Sequence, residues 1–136
     1  MIELIPPLKI QVKISEGRGF GCFAVDEIKK NEVFEECYCL PVRSGGLSDY
    51  IFTFTKLNPI TINFQRPHET VLSLGFGSIY NHSKTPNADW RIHKEYLKQS
   101  KRVFQFFALR DIFPEQEIFI YYGDNYWKGR TNVKLI

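Results

Sequence analysis

Asn81-His82-Ser83-Lys84-Thr85-Pro86-Asn87 is the stretch on which the reading of this chain turns. Asn and His fix the orientation of a ligand or of backbone through side-chain hydrogen bonds, and Pro86-Asn87 then turns the chain. Taken alone, a hydrogen-bonded structural turn explains the segment as well as a functional one does. Asn81-His82-Ser83 also matches the N-glycosylation sequon, which is idle without secretion. Upstream stands a glycine-rich run, Gly17-Arg18-Gly19-Phe20-Gly21, and downstream an aromatic run, Ile118-Phe119-Ile120-Tyr121-Tyr122-Gly123. The order of the three pieces carries more than any one of them.

The 136 residues predict one domain over 1–136 with a sizeable core. Apolar content of 43% and charged content of 24% are ordinary for a globular protein. No apolar run approaches the roughly 20 residues of a membrane span, and Met1-Ile2-Glu3-Leu4-Ile5-Pro6-Pro7 does not read as a signal peptide. The expectation is an intracellular protein, nuclear or cytoplasmic, without a membrane partner. Cys22, Cys37 and Cys39 form no C-x-x-C pair and predict buried free thiols. His68, His82 and His93 lack ligand spacing, so no metal is expected. A net charge of +3 does not demand direct nucleic-acid binding.

Alternation of polar and apolar residues predicts a mainly β chain. Lys9–Ile14, Cys22–Val25, Val33–Leu40, Trp90–Ile92, Val103–Ala108 and Glu117–Tyr121 read as strands. Phe52–Thr55 and Ile60–Phe64, with Asn58-Pro59 between them, read as a hairpin within a variable insert at about 43–73. The stretch His93 to Arg102 reads as a solvated hairpin tip, its lysines facing water, and Leu72 to Tyr80 as a short helical turn.

Alternating glycines let the backbone bend and approach a neighbour closely. A dinucleotide fingerprint fails here, because Cys22 stands at the third small position and strand, not helix, follows. By itself the glycine run predicts a hairpin turn. Tyr hydroxyls and a Trp face, in Tyr121-Tyr122 and Tyr126-Trp127, suit a cationic group, although aromatics ending a strand more often pack.

In combination these residues closely resemble the SET-domain protein lysine methyltransferases, in particular small stand-alone SET proteins of viruses and microbes. The family pattern G-x-G-[VL]-[FI]-A is approached by Gly19-Phe20-Gly21-Cys22-Phe23-Ala24, and N-H-S-x-x-P-N is met by Asn81, His82, Ser83, Pro86 and Asn87. The final motif is met by Ala108, Arg110, Asp111, Ile112, Glu117, Ile118, Tyr122 and Gly123, with Glu115-Gln116 where Gly-Glu is usual. The similarity runs over about residues 10–127.

The resemblance implies a SET fold of small curved sheets, with a knot-like threading that brings the middle and final motifs together. It implies transfer of a methyl group from S-adenosylmethionine to a lysine amine of a protein, a histone tail among the candidates, with S-adenosylhomocysteine as product. Cofactor contacts would come from Arg18, Gly19, Phe20, Gly21, Asn81, His82, Tyr122 and Trp127. Tyr122 would be the catalytic tyrosine, and Tyr50, Trp90 and Ile120 would line the lysine channel. No cysteine follows Gly123, so the family's zinc-binding tail has no counterpart, and Tyr126, Trp127 or a second copy in a homodimer would close the channel. A non-catalytic module that binds a lysine-bearing partner is the alternative, although Tyr122, Asn81 and His82 have no chemical role in a dead copy. An unrelated β-rich interaction domain requires three accidental matches.

Overall fold

In the computed structural model, residues 3–41, 51–53 and 70–122 are described. Alternation produces strands where expected. The β1 strand (Ile10–Ser15) and β2 (Gly19–Ala24) form an antiparallel ribbon, paired from Ile10↔Ala24 to Ser15↔Gly19. The chain turns at 16–18, so Gly19 and Gly21 belong to the strand. The remaining elements are β3 (Val33–Pro41), β4 (Ile51–Thr53), β5 (Thr70–Ser73), β6 (Asn81–His82), β7 (Ala88–Ile92), α1 (Lys94–Lys98), β8 (Val103–Ala108) and β9 (Phe119–Ile120). The result is mainly β, in small sheets. No helix among the described residues is long and apolar enough to cross a membrane.

Two compact units are present. The first takes residues from 1–7, 33–78 and 90–106, and is built on a sheet of order β4-β5-β3-β8-β7. The antiparallel β3–β5 register is Cys39↔Ser73 to Pro41↔Val71, and β4 continues it through Ile51↔Leu72. Trp90, Phe104 and Phe106 stack in its core, with ring centroids 4.4 Å and 6.3 Å apart. The central β3 is buried on both faces over Phe34–Cys37, which takes two carboxylates inside. Each is given donors, as buried charge requires. Glu35 Oε2 accepts from the Phe76 N–H (2.9 Å), and Glu36 accepts from the Ile5 N–H (3.1 Å) and Gln105 Nε2 (2.8 Å). Cys22, Cys37 and Cys39 are buried thiols that form no disulfide. Burial pushes the Cys37 thiol far up and the Cys39 thiol to about 12, so both are unreactive.

Two expectations fail in this unit. The stretch His93 to Arg102 is not a bare hairpin tip but holds α1, capped by His93, whose Nδ1 accepts from the Tyr96 N–H (3.3 Å). Tyr96 and Leu97 are buried, and Ser100 at φ 62° closes the helix by donating its N–H to Leu97 O (2.9 Å). One apolar pair amid charges is too short a signal for periodicity to register. Leu72–Ser73 is strand rather than helix, because long-range pairing to β3 and β4 overrides local preference; turns follow over 75–79. The expected strand Ile60–Phe64 and its Asn58-Pro59 turn lie outside the described residues.

The second unit takes residues from 8–32, 79–89 and 107–136. Ile28 and Ile112 exchange both backbone hydrogen bonds at 2.8 Å, Ala24 N–H donates to Gln116 O, and Ile118 N–H donates to Cys22 O. Cys22, Ala24, Ile28, Ile112, Ile118 and Ile120 are buried there. In this unit β6 runs parallel to β9, with Asn81 opposite Phe119 and His82 opposite Ile120. Glu115, standing where the resembled family has Gly, sits at φ 73°. The left-handed region costs a residue with a Cβ about 1–2 kcal/mol, and its exposed ion pair with Lys13 (3.0 Å) offsets little. Glu115→Gly is therefore expected to raise stability by roughly 1 kcal/mol, read as a higher urea midpoint at unchanged m-value.

Candidate active site

The second unit brings the middle motif against the final one. Asn87 uses both ends of its amide: Nδ2 donates to Glu117 O and Oδ1 accepts from the Phe119 N–H, each at 2.8 Å. Arg110 Nη1 donates to Pro86 O (3.0 Å), and Ser83 N–H donates to Ile120 O (3.0 Å). Ser83 Oγ closes the intervening turn by accepting from the Thr85 N–H (3.0 Å). Beyond the Ser83–Ile120 backbone bond, the side-chain bonds supply what a two-residue strand lacks in backbone pairing.

Asn81 and His82 then act in different directions. Asn81 Nδ2 donates to Phe20 O (3.0 Å) and to Glu117 Oε2 (2.8 Å). The close approach needs Gly21: a Cβ there would lie 2.5 Å from Glu117 Oε2 and 2.8 Å from Asn81 Nδ2. Gly21 thus makes room for two protein side chains. His82 is buried, and its Nδ1 accepts from the Tyr122 N–H (3.0 Å), which places its proton on Nε2. Its ring centroid lies 5.1 Å from that of Tyr121 and 5.2 Å from that of Tyr122, both rings tilted to it. Burial, with a smaller contribution from Lys84, holds the imidazole below its ordinary value. The Tyr122 hydroxyl donates to Tyr80 O at 2.6 Å.

Among the residues expected at a site, Arg18, Gly19, Phe20, Gly21, Asn81, His82, Ile120 and Tyr122 all belong to this unit. Ile120 is fully buried, and Phe20 is 63% exposed. The Arg18 guanidinium lies over Phe119 (5.2 Å) and donates through Nη1 to Ser15 Oγ (3.3 Å) and Glu16 O (3.5 Å), while its buried Nε has no hydrogen-bond partner among the described residues. Trp90 belongs to the first unit, buried against Phe104. Tyr50 and Trp127 lie outside the described residues. Sequence reasoning gave no role to Ser15 or Glu117, although Ser15 Oγ donates to Glu117 Oε1 at 2.7 Å. Glu117 was visible as a motif position; only the tertiary contacts show what its carboxylate holds.

With this geometry in hand, residues 19–123 match the SET domain family model. The chain belongs to the SET domain family. It is 28% identical over 120 residues to a histone-lysine N-methyltransferase of Schizosaccharomyces pombe, H3 lysine-37 specific, covering 87% of this chain and 76% of that one. The crystal structure of a Plasmodium falciparum protein assigned as a histone methyltransferase superposes with a TM-score of 0.67 at 31% identity, over 88% of this chain and 96% of that one. The Neurospora SET domain protein DIM-5, a histone lysine methyltransferase, shares the fold: TM-score 0.61, 18% identity, 85% of this chain and 52% of that one.

Burial of His82 gives a pH signature. A histidine lowered on folding contributes stability that is fully present above its unfolded value of about 6.5 and is lost as pH falls through the folded value. Urea midpoints are expected to drop between pH 7 and 5, and His82→Gln is expected to remove that part of the slope.

Proposed function

We propose that this protein transfers a methyl group from S-adenosylmethionine to the ε-amine of a lysine in a protein substrate, and that the substrate is a histone tail. The observation that carries the reading is the convergence of Arg18–Gly21, Asn81-His82 and Tyr122 in one unit of a SET-family chain. The histone-directed names of the Schizosaccharomyces and Plasmodium relatives support the substrate. Such a substrate implies an intracellular setting.

The residues present fit the cofactor. The buried Arg18 Nε lacks an acceptor among the described residues and suits a carboxylate, and exposed Phe20, two residues further on, offers an apolar face. When bound, the cofactor supplies an electrophilic methyl on a sulfonium. Tyr122 commits its hydroxyl proton to Tyr80 O, leaving the phenolic lone pairs as acceptors that orient polarised C–H and N–H groups. His82 holds the Tyr122 backbone, and with it the ring's position. The lysine must react as the neutral amine, so its value of about 10.4 has to fall, which desolvation and a nearby positive charge both accomplish. No dedicated base is then needed.

Transfer of labelled methyl to core histones tests the reading. Tyr122→Phe is expected to lower kcat by roughly 100-fold or more while cofactor affinity stays within about threefold. Cofactor binding without transfer to histones or to cell lysate would leave a binding module, and near-normal turnover by the variant would remove Tyr122 from the mechanism.

A further inference from the structure

We propose that Glu117 is a positioning residue that sets the hydrogen-bond polarity of the cofactor-binding face and so controls cofactor affinity; this rests on the function proposed above. The carboxylate joins two groups assigned to cofactor contact. On one side Ser15 Oγ donates to Oε1 (2.7 Å) and in turn accepts from Arg18 Nη1 (3.3 Å). On the other, Asn81 Nδ2 donates to Oε2 (2.8 Å) and also to Phe20 O (3.0 Å). The carboxylate is locked against β2, since a Cβ on Gly21 would meet Oε2 at 2.5 Å and Cδ at 3.0 Å. An unbroken chain, Arg18–Ser15–Glu117–Asn81–Phe20, therefore runs along the edge of the site with Glu117 at its centre.

The direction of the two bonds at the centre of the chain follows from one fact: a carboxylate only accepts. The Ser15 proton must point to Glu117, which leaves a Ser15 lone pair for Arg18. The Asn81 amide must turn its NH₂ to Glu117 and Phe20 O, both acceptors, which turns Oδ1 away from them. Glu117 thereby fixes which atom Asn81 presents and which nitrogen of Arg18 is already occupied. A glutamine of the same shape would face either Ser15 or Asn81 with an NH₂ of its own. Reversing the Asn81 amide would relieve that only by setting Oδ1 against Phe20 O.

The experiment is isothermal titration of S-adenosylhomocysteine and S-adenosylmethionine into the full chain and Glu117→Gln, with steady-state methyl transfer alongside. The variant is expected to bind about tenfold or more weakly, the scale of one charge-assisted hydrogen bond. KM for the cofactor should rise in parallel, with kcat at saturation within about threefold. Affinity within twofold of a wild type that binds would overturn the inference while leaving the proposed function standing, as would a fall in kcat at unchanged KM. A wild type that binds neither compound would overturn both. If Glu117→Gln does not fold, Ser15→Ala serves: it frees only the Arg18 end and is expected to weaken binding about threefold, and unchanged affinity would count against the role.

Discussion

The parallel contact of Asn81-His82 with Phe119-Ile120 is the constraint on which the rest of the second unit depends. Parallel neighbours must be reached by a crossover, and their pairing is slightly weaker per residue than antiparallel pairing. Two residues of it would not hold a strand in register alone. The register is held instead by side chains of the middle motif: Asn87 bonds Glu117 and Phe119, His82 bonds Tyr122, and Asn81 bonds Glu117. Arg110 replies from the final motif to Pro86. The motif's polar residues are thus structural, and they seat the residues proposed above to act. The same bonds that seat the strand bring Tyr122 beside His82 and Asn81 beside Phe20.

Polar groups inside both units follow one rule, that a desolvated acceptor is stable only with donors in place. In the first unit Glu35 and Glu36 meet it with backbone N–H groups and a glutamine. In the second, Glu117 meets it with a serine and an asparagine. The difference matters for function. Glu36 is almost fully buried, whereas Glu117 is half-buried at the edge of the proposed site, where the Arg18 guanidinium retains an unmatched nitrogen among the described residues.

Much of the architecture was legible. Lys9–Ile14, Val33–Leu40, Trp90–Ile92 and Val103–Ala108 were read as strands and correspond to β1, β3, β7 and β8, the first of them marked by its alternation of polar and apolar residues. The glycine run was read as a turn, but only 16–18 turns; Gly19–Gly21 continue as strand, and Gly21 serves the approach of Asn81 and Glu117. Glu115 departs from the family pattern where Gly is usual, and a positive φ is found there. The helix α1 was not legible, since its cap is a histidine, its C-terminal left-handed residue is Ser100 in place of glycine, and its buried face is one dipeptide. Leu72–Ser73 was misread for a different reason, its strand state being imposed by β3 and β4.

By itself the sequence determined the mainly β character of the chain and the set of chemical groups available, because side-chain periodicity and residue type are local properties. Membership of the family was also visible in it, through the order of Gly19–Ala24, Asn81–Asn87 and Ala108–Gly123. Only the tertiary structure decided which polar atoms are hydrogen-bonded to one another. Ser15, Asn81 and Glu117 are far apart along the chain, and their hydrogen bonds exist only once the β1–β2 ribbon and the β6–β9 contact are in register. Register is a property of pairing, and a one-residue slip would turn each of these side chains to the opposite face.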